Sequence, residues 1–293
     1  MLSTKSASRL LMCFSATCLA LCLSTTLEAG QKPIPPQKYD PAAEKADDLF
    51  EAMEAGVVDV KIIAKNSKGG KVLITNNSEK PLNVKLPETF LAVQVLKQGA
   101  LGGGLGGGLG GGGLGGGQGG GQAQTTGGGA GGGLGGGLGG GGLGGGAGGA
   151  GGGFFSIPPE KTAYVPYTSV CLEHGKVEPA PRMEYRMVKT EELVKDPALQ
   201  ELLRFVATGR VNQQAGQAAA WHLADKMSWQ ELAAKSIKHL GGAPPSPYFN
   251  QAELQYASQL VGMAHARARD RNDSTETAST TKARTETGRS FEK

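Results

Sequence analysis

Cysteine is almost missing from this chain beyond its first thirty residues. Four are present in all: Cys13, Cys18 and Cys22 lie near the N-terminus, and only Cys171 follows. A lone thiol has no internal partner, so a disulfide framework is excluded after residue 30. A strong charge of one sign is lacking too. The formal net charge is +4 over 293 residues, and no basic stripe with interleaved aromatics occurs, so nucleic acid is not an expected partner. No apolar run after residue 30 approaches the roughly 20 residues needed to span a bilayer. The glycines lack the Lys-Ser/Thr and the strand–helix frame of a phosphate-binding loop.

What is present begins with an export signal at residues 1–30. Lys5 and Arg9 form its positive end, residues 10–23 its apolar centre, and Ala29 and Gly30 are small residues suited to cleavage. Cys22 follows Leu-Ala-Leu, with bulky Leu21 where a lipid-attachment signal wants a small residue. The expected location is therefore secreted, periplasmic or cell-surface, after cleavage. The partners that fit are cell-wall or extracellular components, or further copies of the chain. No cofactor is expected.

The main landmark is a glycine-rich insert at residues 99–153, with seven leucines and no charged residue. Leu101, Leu105 and Leu109 have helical spacing, but glycine opposes a helix. At about 1 kcal/mol per glycine the tract loses tens of kcal/mol. Burying its leucines returns only about 10–20 kcal/mol. The expected state is a disordered coil with ends about 40 Å apart. Lengthening a loop from about 5 to about 55 residues adds only about 2 kcal/mol of closure entropy. The flanking segments can thus belong to one domain.

Those flanks read as strands. A short helix capped by Asp40, with Pro41 first, is expected to end near Gly56. Strand signals follow at 57–64, 71–75, 82–86 and 90–96, and after the insert at 162–172 and 182–188. From Thr190 the period is helical. Asp196-Pro197 starts one helix that closes at Gly209. Residues 213–226 form another. Ser228 with Glu231, and Asn250 with Glu253, are capping boxes for two more, the first carrying Ile237. Trp221 and Trp229 stand eight apart, which is helix-packing geometry if the two helices pair. The fold expected is α+β: a small antiparallel β-sandwich split by a disordered Gly-rich loop, then a small helical bundle and a disordered tail. The boundaries are 40–98 with 154–189 for the sandwich, 99–153 for the insert, 190–269 for the helices and 270–293 for the tail.

Cys171-Leu-Glu-His174-Gly is the one cluster with chemical potential. Residues 171 and 174 point to opposite faces of a strand, so His174 reaches Cys171 only across a turn. The cluster offers too few ligands for a zinc site. An inert buried thiol and no catalytic constellation are expected, with a secreted Cys-dependent hydrolase as an alternative. His222, His239 and His265 are expected to be solvated or satisfied on helices.

Three resemblances accompany these readings. Residues 72–87, Val-Leu-Ile-Thr-Asn-Asn-Ser-Glu-Lys-Pro-Leu-Asn-Val-Lys-Leu-Pro, resemble the Ig-like β-sandwich modules of secreted bacterial proteins. The run Gln214-Ala-Gly-Gln217-Ala-Ala-Ala-Trp221 resembles the Gln-x-Ala-x-Trp stretch of bacterial surface thioester domains. That likeness implies Cys171 as thiol and Gln217 as acyl donor of an internal thioester for covalent adhesion. On the residues alone, Gln217 is a helix-surface residue and Trp221 a core residue. The stretch from Gln217 to Ala233, after Cys-Leu-Glu-His-Gly, resembles uncharacterised exported proteins of the planctomycete type, which implies export but no activity. The function expected is a non-catalytic secreted or cell-envelope protein with a binding or structural role.

Overall fold

β-branched residues recur in the three longest strands, at 58–66, 69–76 and 162–171. The computed structural model describes residues 32–95, 123–129 and 153–289, with side chains up to 274 except that of Leu240. The leader at 1–30 and most of the glycine-rich insert lie outside the described residues. The first half holds β1 (Glu44–Ala46), α1 (Leu49–Glu54), β2 (Val58–Asn66), β3 (Gly69–Asn76), β4 (Leu82–Val84) and β5 (Phe90–Gln94). Then come β6 (Thr126–Gly129), β7 (Phe155–Ile157), β8 (Thr162–Cys171) and β9 (Tyr185–Lys189). The helical half holds α2 (Thr190–Leu193), α3 (Pro197–Ala207), α4 (Gln213–Ala224), α5 (Trp229–Ala234) and α6 (Gln251–Arg289). A hairpin of β10 (Ser236–Ile237) and β11 (Ser246–Pro247) separates α5 from α6.

The expected sandwich is not what forms. Six strands close into an antiparallel barrel in the order β2-β3-β8-β6-β5-β9. Two features overturn the two-layer arrangement. Strand β9, having paired with β5, also reaches back to β2 through Ile62 and Tyr185. Strand β6, from within the glycine-rich insert, fills the gap between β5 and β8. The insert is therefore not a coil throughout, since residues 126–129 are a buried barrel strand. A smaller sheet, β1-β4-β7, lies beside the barrel.

Alternation along the strands divides two cores. Val72, Ile74, Phe90, Val165, Tyr167 and Tyr185 belong to the barrel core, joined by Leu49 of α1 and by Val84 and Ile157 of the small sheet. The Phe90 and Tyr167 rings meet edge-on at 5.3 Å. Residues of the opposite strand face, Leu91, Val170, Leu172 and Val188, join the helices in a second core. Helix α3 packs on β6 and β8, α4 on β8, and α6 on both helices. The helices expected to form a small bundle are thus a layer spread on the barrel wall.

The helix starts follow local chemistry. Asp48 caps α1 by accepting from the Phe50 N–H at 2.7 Å. The helix does not start at Pro41, because the preceding chain pairs as β1 with β4. The buried Asn83 carboxamide holds it there, accepting from the Asp40 N–H and donating to the Asp40 and Ala43 carbonyls. Asp196 caps α3, and both expected capping boxes form. Ile237 lies on β10 and is exposed, rather than on a helix.

The tail expected to be disordered from residue 270 continues α6 as helix to Arg289. Extending an existing helix needs no new nucleus, which removes the main barrier to helix in a polar sequence. The extension is also tied down near its start. Buried Glu201 of α3 accepts from Arg204 Nη1 at 2.8 Å and pairs with Arg271 Nε.

Candidate functional site

Strand β8 is longer than its neighbour β3, and this mismatch builds the site. Pairing with β3 ends at Gly69 and Thr168. The Ser169 N–H still finds the Lys68 carbonyl at 3.0 Å. Beyond it, the edge of β8 needs other partners. Helix α4 supplies them with two glutamines one turn apart. Gln213 Nε2 donates to the Ser169 carbonyl. Gln217 Oε1 accepts from the Cys171 N–H at 2.9 Å, and Gln217 Nε2 donates to the Cys171 carbonyl at 2.8 Å. Four helical residues rise about 6 Å and two strand residues about 6.7 Å, so i and i+4 match a strand edge. The glutamines continue the ladder where β3 stops.

This corrects the reading of Gln217 as a surface residue: it is only 5% exposed. It also brings Cys171 and Gln217 together, as the thioester resemblance implies. The carboxamide meets the Cys171 backbone. The thiol, by strand alternation, shares the face of Tyr167 in the barrel core.

A cleft of about 200 Å³ opens at this end of β8. Its walls come from six places in the chain: Ser67, Gln124, the stretch from Cys171 to Glu178, α4, Lys235 and Tyr248. His174 lies in it, its backbone N–H on Asp225 Oδ2 at 2.8 Å and its Nε2 2.8 Å from Lys235 Nζ. Lysine only donates, so Nε2 accepts and the imidazole proton sits on Nδ1. Burial, then the charge of Lys235, lowers the His174 pKa. Burial also lowers that of Lys235. The Lys235 ammonium stands 5.2 Å from the centre of the Trp221 ring and 5.0 Å from that of Tyr248. The His174 ring meets Trp221 edge-on at 4.7 Å.

The two tryptophans do not pair with each other. Trp221 packs on His174, Tyr248 and Phe249, while Trp229 stacks on His222 at 4.2 Å. His222 Nδ1 is 2.7 Å from the Met227 carbonyl, and His239 Nε2 is 2.8 Å from Ser246 Oγ. His265 lies on α6.

Cys171 and His174 share the cleft, but the imidazole engages Lys235 and not the thiol. Burial, reinforced by Glu178 and Glu173, pushes the Cys171 pKa up to about 12. At pH 8 only about one thiol in ten thousand is then ionised, and the thiolate is the reactive form. Iodoacetamide at pH 8 is expected to leave folded protein unlabelled over times that fully label it in guanidinium. Rapid labelling of the folded form would contradict a buried, protonated thiol. The raised pKa also has a sign for stability. Between the ordinary thiol range near 9 and about 12, the folded state keeps a proton that the unfolded state has lost. Stability therefore falls as pH rises through that window, and Cys171→Ala should flatten the fall.

Among the described residues there is no group of three or more His, Cys, Asp or Glu fit to hold a metal, and no helix long and apolar enough to cross a membrane. Lys235, Tyr248, Gln124, Ser67 and Glu178 carry no local motif, and only the fold collects them. No family model matches the chain, and no curated protein or solved structure matches it either.

Proposed function

We propose that this is an exported, non-catalytic binding protein whose recognition site is the cleft at the end of β8. The observation that carries the reading is the cleft wall itself. Aromatic surface from Trp221 and Tyr248 stands beside a small set of convergent polar groups, a combination typical of small-molecule sites. Two polar atoms in its lining residues have no hydrogen-bond partner among the described residues: Gln124 Oε1 and the Trp221 indole N–H. Unpaired buried polar groups are uncommon and call for an explanation. Two groups with lowered pKa, His174 and Lys235, face each other in the same cleft. The thiol is protonated and lacks a base, which argues against Cys-dependent hydrolysis. The leader at residues 1–30 supports export.

A thermal-shift screen tests this on the chain lacking residues 1–30, with small carboxylates, amines, amides and sugars. At least one class should raise Tm, and Tyr248→Ala should abolish that rise. A flat screen, or a rise indifferent to Tyr248→Ala, would overturn the reading.

A second reading, covalent adhesion through a thioester, draws on the contact between Gln217 and Cys171. Its step forms a bond from Cys171 Sγ to Gln217 Cδ and expels ammonia, which lowers the mass by about 17 Da. The carboxamide would have to give up both hydrogen bonds to the Cys171 backbone. Intact-mass spectrometry of non-reduced protein decides: the deficit, reversed by methylamine, supports the thioester, and an unshifted mass ends it.

A further inference from the structure

We propose that the cleft takes a small organic monocarboxylate, with Lys235 as its counter-charge. This rests on the cleft being a binding site, and it adds the class of ligand. Lys235 is a partly buried cation whose observed neighbours are all uncharged or aromatic: the neutral His174 imidazole and the rings of Trp221 and Tyr248. Among the described residues no carboxylate comes within ion-pairing distance of it. A cation drawn out of water without an anion is costly, and a ligand anion offsets that cost.

The other charges around the cleft are committed. Glu178 accepts from the Ser67 N–H and from Ser67 Oγ. Glu173 holds Lys176 Nζ and accepts from the Thr125 N–H. Asp225 accepts from the His174 N–H. Of the two lysines at the cleft, Lys176 is held by Glu173 while Lys235 has no carboxylate on it among the described residues, and a ligand carboxylate would supply one. Glu178 keeps its charge and lines the same cleft, so it opposes a dianion such as phosphate more strongly than a monoanion. The aromatic walls suit an apolar body behind the carboxylate. Gln124 Oε1, without a partner among the described residues and in a residue only 7% exposed, is an acceptor for a donor on that body.

The chain has two tryptophans, so a Trp229→Phe background leaves Trp221 as sole reporter in the cleft. Acetate, lactate and benzoate are titrated at pH 7, with benzamide and benzylamine as neutral and cationic controls, and Trp221 fluorescence is read. At least one carboxylate should give a saturable change. Lys235→Met should weaken it by about tenfold or more, and Lys235→Arg should largely restore it. Circular dichroism establishes that each variant is folded, and Lys235→Gln replaces Lys235→Met if the latter is not. Benzamide binding as tightly as benzoate, or carboxylate binding indifferent to Lys235→Met, would overturn the carboxylate assignment while leaving the cleft as a binding site. So would silence from all three carboxylates alongside a response to other classes in the thermal-shift screen. A screen with no response at all fails the cleft reading itself.

Discussion

Deleting residues 123–129 is expected to unfold the barrel, although they are seven residues of a tract that reads as filler. Among the described residues, strand β6 alone links β5 to β8 in the closed ring. Without it both neighbours become edges with unpaired buried backbone groups, each costing about 1–3 kcal/mol. Several such groups rival the 5–15 kcal/mol that holds an ordinary domain together. Segment 123–129 is anchored beyond its ladder too. The Ala123 N–H donates to Gln94 Oε1, the Thr125 N–H to Glu173 Oε2 at 2.8 Å, and Gln124 Nε2 to the Lys176 carbonyl at 2.9 Å.

The glycines themselves are required. A Cβ on Gly128 would collide with the Thr168 carbonyl, one on Gly129 with the Glu88 carbonyl, and one on Gly127 with the Leu203 methyls. Gly128→Ala meets backbone that has no room to yield, so a loss of about 3 kcal/mol or more is expected. Urea denaturation followed by circular dichroism measures both changes. A seven-residue deletion at 101–107, outside the described strands, is the control and should leave the midpoint unchanged. A cooperative native-like transition after deleting 123–129 would refute the barrel closure.

Gln217→Ala is expected to destabilise the protein by about 2–6 kcal/mol. It strands the Cys171 N–H and carbonyl at a buried strand edge, with about 1–3 kcal/mol for each group. Gln217→Glu should not rescue it, because a carboxylate can accept from the Cys171 N–H but only repels the Cys171 carbonyl. Gln213→Ala should cost less, since Gln213 is only half-buried and makes one bond to the strand. The order of urea midpoints tests this directly. Gln217→Ala within about 0.5 kcal/mol of the parent, the range of an ordinary surface change, would contradict the ladder role. Stability and mass separate the two readings of Gln217, because a purely structural glutamine leaves the intact mass unshifted.

Much of the fold was legible where residue type and backbone state agree. The alternation of Leu82, Asn83 and Val84, and the β-branched run of β2, placed strands by period. Asp196-Pro197 and the Ser228 and Asn250 boxes placed helix starts, because caps are local hydrogen-bond chemistry. Sheet closure was not legible, since a barrel and a sandwich use the same alternating strands and differ in who pairs with whom. Glycine hid β6: without side chains, Thr126–Gly129 has no pattern, and its fitness as a strand lies in the closeness of Thr168, Glu88 and Leu203. The site was half legible. Cys171, His174 and Gln217 stand out by residue type, while Lys235 and Tyr248 look ordinary until the chain brings them against Trp221.

The sequence by itself determined the lone thiol beyond residue 30, the longer barrel strands, the capped starts of α3, α5 and α6, and the lack of zinc-like ligand spacing, because each depends on residue type and near neighbours in the chain. Only the tertiary structure decided that the sheet closes, that part of the glycine-rich tract is a barrel strand, that the tail continues a helix, and that Gln217 holds the end of β8. Those outcomes turn on long-range pairing and on the space left between backbones, which no local pattern encodes.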